Sequence, residues 1–404
     1  MKRIVIKFGG TSVMDSGRIK HVARLVESVQ KDGYEVVVVV SAMGHTTDHL
    51  LQLAADVGRC PNPRELDLLI STGEQVSAAL LAIALEESGV KAQSYTGAMA
   101  GILTDEHFGQ AKIKHVHTEA LLAALKAGYV PVVAGFQGVS GKGDVTTLGR
   151  GGSDITAIAL AASLAAERCD IYSDVDGVYS ADPRILSQAY KLPSISYKEM
   201  HELACNGAQI LNARSVEMAM RRAVPIRVRS TFDPADSGTL VEDSPHHAGN
   251  FAGLSCLTTQ SHVQLHCDAG GGLRSQSWKK NIIALLLEAG IHVEVGSTLK
   301  GTAGQLHFAV ERADLAAALD LLAQKTGETI PPVVDNHLAK ISVVARDVRS
   351  SIEVESIVAL TRAGLPIVMM TSTEHRLSLF VPIELRESAL RVLHDKFAFL
   401  KIAA

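Results

Sequence analysis

Along the first 230 residues, short runs of β-branched and aliphatic residues alternate with stretches whose apolar positions recur every three or four residues. Ile4–Phe8, Glu35–Val40, Val130–Ala134, Ile171–Ser173 and Ile226–Arg229 read as strands. They are apolar at nearly every position, not at every second one, as strands buried on both faces should be. Arg18–Gln30 and Glu119–Ala127 have the amphipathic helical period, and Gln75–Glu86 and Ile155–Ala166 also read as helices. Strands alternating with helices predict an α/β unit with a parallel sheet covered on both sides.

The character changes after residue 232. Residues 233–250 are polar and turn-rich, with Asp-Pro, Ser-Gly and Ser-Pro steps, and read as a linker between a unit over 1–232 and a region over 251–404. That region contains two weakly similar units, each with a strand, a turn, a helix ending in Ala-Gly and a further strand. Ile282–Gly290 followed by Ile291–Val295 matches Ile352–Gly364 followed by Pro366–Met370. Units of this kind pack as small α+β modules, and a tandem pair suggests ligand binding or dimerisation, not a second catalytic centre.

Composition narrows the function. Net charge is −4, and one Trp in 404 residues gives no base-stacking platform, so nucleic acid is not an expected partner. Apolar runs such as Val36–Val40 and Ile155–Ala166 are too short or too interrupted to span a bilayer, so no membrane is expected. Lys7 and the following glycines break the apolar run that a signal peptide would need. Five scattered cysteines without metal-ligand spacing fit reduced thiols in a cytoplasmic enzyme.

Three motifs carry chemistry. Lys7-Phe-Gly-Gly-Thr-Ser12 follows the first strand; its glycines let backbone N–H groups approach a phosphate, and Lys7 adds a mobile cation. By itself it equally fits a tight turn with a surface lysine, and it is not a Gly-x-x-x-x-Gly-Lys loop. Thr146-Thr-Leu-Gly-Arg-Gly-Gly-Ser-Asp154 opens a helix with a second anion-friendly turn, where Arg150 can hold a carboxylate through two hydrogen bonds. Ser153 or Asp154 alone could be helix caps, which leaves the glycine cluster unexplained. Tyr172-Ser-Asp-Val-Asp-Gly-Val-Tyr-Ser-Ala-Asp-Pro-Arg184 packs carboxylates, a turn and an arginine after a strand. Its turn dipeptides also fit a solvated loop. Ser41-Ala-Met-Gly-His-Thr-Thr-Asp48 follows a strand where an α/β sheet places ligands, and Ser71-Thr-Gly-Glu74 opens a helix.

Together with Gly135-Phe-Gln-Gly138, these motifs resemble the aspartate kinase family in type and order, across residues 4–215. The C-terminal units resemble the family's tandem ACT domains more loosely; whether the two interleave is open. The resemblance implies an open, mostly parallel eight-stranded αβα sandwich followed by two α+β ACT-like domains. It implies transfer of the γ-phosphate of ATP to the side-chain carboxylate of L-aspartate, with Mg²⁺ arriving as Mg-ATP.

On the family pattern Lys7, Gly9 and Gly10 hold the β- and γ-phosphates, and Asp154 organises Lys7. Arg150 holds the α-carboxylate of aspartate and Glu74 its ammonium, with Ser41, Thr47 and Ser153 completing that pocket. Ser173, Asp174, Tyr179 and Arg184 hold the nucleotide. One departure stands out: the family's Gly-Ala-Lys-Val-Leu-His-Pro-Arg is Gly207-Ala-Gln-Ile-Leu-Asn-Ala-Arg214 here, so Gln209 replaces a lysine that reaches the nucleotide. A kinase for glutamate, N-acetylglutamate or a modified aspartate is an alternative on the same fold, and a non-catalytic amino-acid-binding paralogue is another. Glu74 and Arg150 favour a free α-amino acid; intact Lys7 and Asp154 favour catalysis.

The chain has no Met between Met220 and Met369, so a shorter regulatory chain from an internal start is not expected, and a homo-oligomer, a dimer through the ACT units, is. Family effectors bind in the ACT turns. Here those turns, His266–Gly272 and Ala345–Glu353, lack the family's prolines and glycine pattern, so lysine and threonine are expected to inhibit weakly.

Overall fold

In the computed structural model, which describes residues 2–243, 249–266, 273–299, 304–326, 332–349 and 351–398, the chain divides into two units. The first comprises Met1–Val178, Lys191–Ala204 and Gln209–His247; the second comprises Tyr179–Tyr190, Cys205–Ala208 and Ala248–Ala404.

The first unit runs β1 (Lys2–Phe8), α1 (Ser16–Lys31), β2 (Tyr34–Val40), α2 (Thr46–Val57), α3 (Pro63–Ile70), α4 (Thr72–Glu87) and β3 (Ala92–Tyr95). It continues through β4 (Ile102–Thr104), β5 (Ile113–Val116), α5 (Glu119–Lys126), β6 (Val130–Ala134), β7 (Gln137–Ser140) and β8 (Val145–Thr147). Then come α6 (Gly152–Ser163), β9 (Arg168–Ser173), β10 (Ser194–Ser196), α7 (Tyr197–Cys205), α8 (Ala213–Arg222), β11 (Ile226–Ser230) and β12 (Thr239–Glu242).

Eight strands form one sheet in the order β10-β12-β11-β9-β1-β2-β6-β3, parallel except where β11 meets β12. Its centre consists of the fully apolar runs. Ile4, Ile6, Phe8, Val36, Val38 and Val40 pack under Ile19, Val22 and Val26 of α1 and Leu81 and Leu85 of α4. The alternate residues face the other way, and α6 lies against β1, β2 and β9 there. Asp15 caps α1 by accepting from Arg18 N–H, an interaction of about 1 kcal/mol. A smaller sheet, β5-β4-β7-β8, stands beside the main one in sequence.

Several boundaries differ from the sequence expectation. The stretch 233–250 is not all linker, because Thr239–Glu242 pairs with both β11 and β10 as a sheet strand. The helix expected over Ile155–Ala166 begins at Gly152 and ends at Ser163, where Ala165 turns left-handed (φ +49°). The membrane expectation also overlooked a run: Pro63–Glu87 is long and apolar enough to cross a bilayer by length and composition. Half of that window is buried, it breaks at Ser71, and Ala78, Leu81, Ala82 and Leu85 belong to the core. It is a pair of core helices.

The second unit contains β13 (Phe251–Leu257), β14 (Gln260–His266), α9 (Leu273–Glu288), β15 (Val293–Gly296), β16 (Gln305–Glu311), α10 (Leu315–Thr326) and β17 (Val333–Asp335). β18 (Leu338–Ala345), α11 (Ile352–Arg362), β19 (Met369–Ser372), β20 (Arg376–Pro382) and α12 (Arg386–Ala398) follow. Two four-stranded antiparallel sheets result, β15-β16-β14-β17 and β13-β18-β20-β19. The first is a contiguous βαββαβ module. The second takes its edge strand β13 from before the first, so the modules interleave. Strands expected at Ile291–Val295 and Pro366–Met370 start later, at Val293 and Met369, because Gly290 and Gly364 (φ +76° and +71°) turn the chain first.

Candidate active site

The C-terminal ends of β1, β2 and β6 collect the charged and glycine motifs of the first unit. Lys7 is the penultimate residue of β1 and points away from the α1–α4 side. Its Nζ lies 2.6 Å from Oδ1 of Asp154 in the first turn of α6, and both side chains are nearly buried. A buried ion pair of this kind keeps both charges in place and leaves Lys7 with donors to spare.

Glycines let the neighbouring backbones close on this pair. Gly9 N–H donates to the Tyr172 carbonyl (3.0 Å), tying the turn after β1 to β9. A Cβ on Gly10 would stand 2.8 Å from the Ala42 carbonyl, so only glycine lets the turns after β1 and β2 touch. Ser41 N–H donates to the Phe8 carbonyl (3.1 Å), and Gly44 N–H to that of Gly10 (3.1 Å). Gly135, just past β6, is held to Val40 and abuts Ser153.

Glu74 approaches from the first turn of α4. It is 4% exposed; Oε1 accepts from Ala42 N–H (3.1 Å), while Oε2 is buried with no hydrogen-bond partner among the described residues. Burial pushes its carboxyl up to about 7, against the opposing pull of the Ala42 N–H. A half-satisfied buried carboxylate is costly by itself and is relieved by a cation.

Lys7, Gly9, Gly10, Ser41, Glu74, Ser153 and Asp154 are thus brought together. Arg150 occupies the exposed turn directly before α6, and Thr47 is half-buried on α2. Gly151 holds that turn left-handed (φ +71°), where a Cβ would meet the Asn212 side chain at 2.4 Å. Ser173 ends β9, next to β1, and Asp174 follows it; Ser173 Oγ accepts from Val175 N–H, and its carbonyl accepts from Thr231 N–H. Tyr179 and Arg184 belong instead to the excursion Tyr179–Tyr190 of the second unit. There Arg184 pairs with Asp182, and Ser180 Oγ bonds Nε2 of His394 (2.9 Å). Gln209 is exposed in the loop before α8.

Sequence reasoning missed two residues beside this site. Arg214 of α8 donates to the Leu148 carbonyl (2.8 Å), bracing the Arg150 turn from one side. Asp67 of α3, 1% exposed, braces the same segment from another side. Arg214 was visible as the end of the Gly207–Arg214 motif. Asp67 left only the signal of one carboxylate inside the apolar run Leu66–Ile70.

Chemically, the arrangement offers a paired lysine at a glycine turn for a polyanion, an arginine for a carboxylate and a buried acceptor for an ammonium. The amino acid kinase family model matches residues 2–230. Over 407 residues the chain is 42% identical to the aspartokinase of Geobacillus stearothermophilus, covering 99% of this chain and 98% of that one. It is 40% identical over 412 residues to the aspartokinase of Corynebacterium efficiens, covering 98% and 96%. Among solved structures, E. coli aspartokinase III in complex with aspartate and ADP is similar at a TM-score of 0.82 and 27% identity, covering 98% of this chain and all of that one. The same enzyme with lysine and aspartate gives a TM-score of 0.77.

Proposed function

The chain belongs to the aspartokinase family, and from that premise we propose how its own residues phosphorylate the side-chain carboxylate of L-aspartate with ATP, the step that opens the route to lysine, threonine and methionine. The acceptor carboxyl has an ordinary pKa of about 3.9, so it is ionised at neutral pH and needs no general base. The obstacle is an anion approaching a triphosphate, which makes catalysis a matter of positioning and charge neutralisation.

Lys7 neutralises the β- and γ-phosphates over the Gly9–Gly10 turn, and Asp154 holds its ammonium in register. Mg²⁺ enters with ATP as part of the substrate. Arg150 takes the α-carboxylate of aspartate and Glu74 its ammonium; Ser41, Thr47 and Ser153 line the same pocket. Ser173 and Asp174 serve the nucleotide from the end of β9, and Gln209 contributes a neutral contact. The observation that carries the reading is Glu74: its Oε1 is held by Ala42 N–H of the Ser41–Ala42 turn, and its buried Oε2, without a partner among the described residues, calls for a cation.

The test is Mg-ATP with hydroxylamine and, in turn, aspartate, glutamate and N-acetylglutamate, since acyl phosphates are trapped as hydroxamates. Aspartate alone should give product. Signal with N-acetylglutamate and none with aspartate would overturn the role of Glu74.

The enzyme is further read as a cytoplasmic homodimer joined through its ACT modules. Support comes from the thiols of Cys60, Cys169 and Cys256 and from the two sheets of the second unit. Light scattering after gel filtration should give twice the chain mass of 42.9 kDa, and a mass unchanged from one chain would refute it.

A further inference from the structure

Aspartate recognition, as read above, needs two poles: Arg150 for the α-carboxylate and Glu74 for the ammonium. They come from separate segments, and something must set their separation. Asp67 is a carboxylate inside a helix, almost wholly excluded from solvent. Such a group is costly to bury unless its acceptors are used. Here its carboxylate's hydrogen bonds among the described residues run to the end of β8 and to one turn of the same unit. Oδ2 accepts from Thr147 N–H (2.7 Å), Oδ1 from the Thr147 hydroxyl (2.8 Å), and both oxygens from Gly109 N–H (3.0 and 2.9 Å).

Each partner leads to the site. Thr147 ends β8, three residues before Arg150. Gly109 presents its carbonyl 2.9 Å from where a Cβ on Gly149 would be, so it packs on the residue before Arg150. On the other side, α3 passes through Ser71 directly into α4, which carries Glu74 seven residues after Asp67. The junction is pinned by Gln137 Nε2 donating to the Ser71 carbonyl (2.7 Å).

We infer that Asp67 is a positioning residue for aspartate: through Thr147 and Gly109 it fixes the Arg150 turn against the helix pair that carries Glu74. This rests on the assignment of Arg150 and Glu74 to the two ends of the amino acid. A purely structural anchor would be replaceable at the cost of stability alone. A positioning anchor sets the KM for aspartate while leaving that for ATP, which is held from the β1 and β9 side.

The experiment uses the full chain and measures KM for both substrates in Asp67→Asn, Thr147→Val, Thr147→Ser and Arg150→Ala. Loss of a charge-assisted hydrogen bond at a positioning group should raise the aspartate KM about tenfold or more in Asp67→Asn, and several-fold in Thr147→Val. The ATP KM should stay within about twofold, and Thr147→Ser, which keeps the hydroxyl, should restore the aspartate KM. If Asp67→Asn does not fold, Thr147→Val decides, because it keeps all the backbone bonds. An unchanged aspartate KM, or parallel changes for both substrates, overturns the inference. Arg150→Ala separates the two failures. If it raises the aspartate KM and the Asp67 and Thr147 variants do not, only this inference falls; if it does not, the two-pole reading falls and this inference with it.

Discussion

Two turns of this chain share a design and differ in what they leave open. One runs from β8 into α6 and carries Arg150; the other leaves β18 towards α11 and is described over Arg346–Arg349. In the first, the bracing comes from outside: Asp67 holds Thr147 and Arg214 holds the Leu148 carbonyl. No side-chain cap is seen on either following helix among the described residues; what sets the first apart is Lys7, paired at the first turn of α6. In the second, the turn consumes its own donors. Arg346 N–H goes to the Asn250 carbonyl, Asp347 N–H to Asn250 Oδ1, Val348 N–H to the Glu374 carbonyl and Arg349 N–H to Asp347 Oδ1. The same strand–turn–helix unit becomes an anion site when its donors and cations are kept available, and a scaffold when they are spent.

The strongest way to break the comparison is to remove the charge from the first turn. Lys7→Ala and Asp154→Ala should each lower kcat roughly a hundred- to thousandfold, the scale of losing a preorganised group facing developing charge. Circular dichroism should show the fold retained, with both variants less stable than the native enzyme because each leaves a buried charge unpaired. Near-normal kcat in either variant would mean that this turn is not where phosphoryl transfer occurs.

A smaller effect is expected at the neighbouring pole. Glu74→Gln should raise the aspartate KM about tenfold to a hundredfold and leave ATP use nearly unchanged. Because burial pushes the Glu74 carboxyl up to about 7, kcat/KM for aspartate should fall as pH drops below about 7 in the native enzyme. That limb should vanish in Glu74→Gln. The same shift has a stability consequence of definite sign. A carboxyl raised in the folded state favours folding below its unfolded pKa, near 4.5, and that advantage is lost as pH rises through about 7. Glu74→Gln should therefore melt higher than the native enzyme at pH 8 and lose that margin near pH 4.5. A pH-independent difference would sink this account of Glu74.

The strands that could be read from sequence are those buried on both faces: Val36–Val40 is five consecutive valines, and a β-branched run of that length favours a strand over a helix. What escaped was short or non-local. β4, β5, β7 and β8 are three or four residues each and lack a periodic signature. β12 hides among turn residues, and β13 pairs with a strand more than eighty residues later, a partnership that local pattern cannot reveal. In the site, the glycine motifs were legible because a positive φ, as at Gly149 and Gly151, or a close backbone approach, as at Gly10, restricts composition. Asp67 was not, because its meaning lies in partners 42 and 80 residues away. The excursion holding Tyr179 and Arg184 also looked continuous with the catalytic unit, yet Ala181 and Leu186 are core residues of the second unit.

The smallest expected effect tests the second turn. Lysine and threonine at millimolar concentration should inhibit weakly at sub-saturating aspartate. The first ACT turn, His266–Gly272, falls outside the described residues beyond His266, so the structural case rests on the second. An amino-acid effector needs backbone N–H groups for its carboxylate, and four consecutive ones here already have acceptors within the second unit. To bind, the effector would have to displace the Asn250 side chain, which also donates to the Asp347 carbonyl (2.6 Å), and break the bond between His375 Nδ1 and the Arg346 carbonyl (2.7 Å). It would then meet Glu353 in the first turn of α11, which places negative charge near where an anion would dock. Each retained hydrogen bond favours the closed turn by about 1 kcal/mol, so several together outweigh the gain from one exposed carboxylate contact. Activity is to be measured with lysine, threonine and both together, in the native enzyme and in Asn250→Ala. Flat curves in the native enzyme fit a turn that has spent its donors, and sensitivity appearing only in Asn250→Ala would sharpen the contrast between the two turns. Strong inhibition of the native enzyme by either amino acid would refute it.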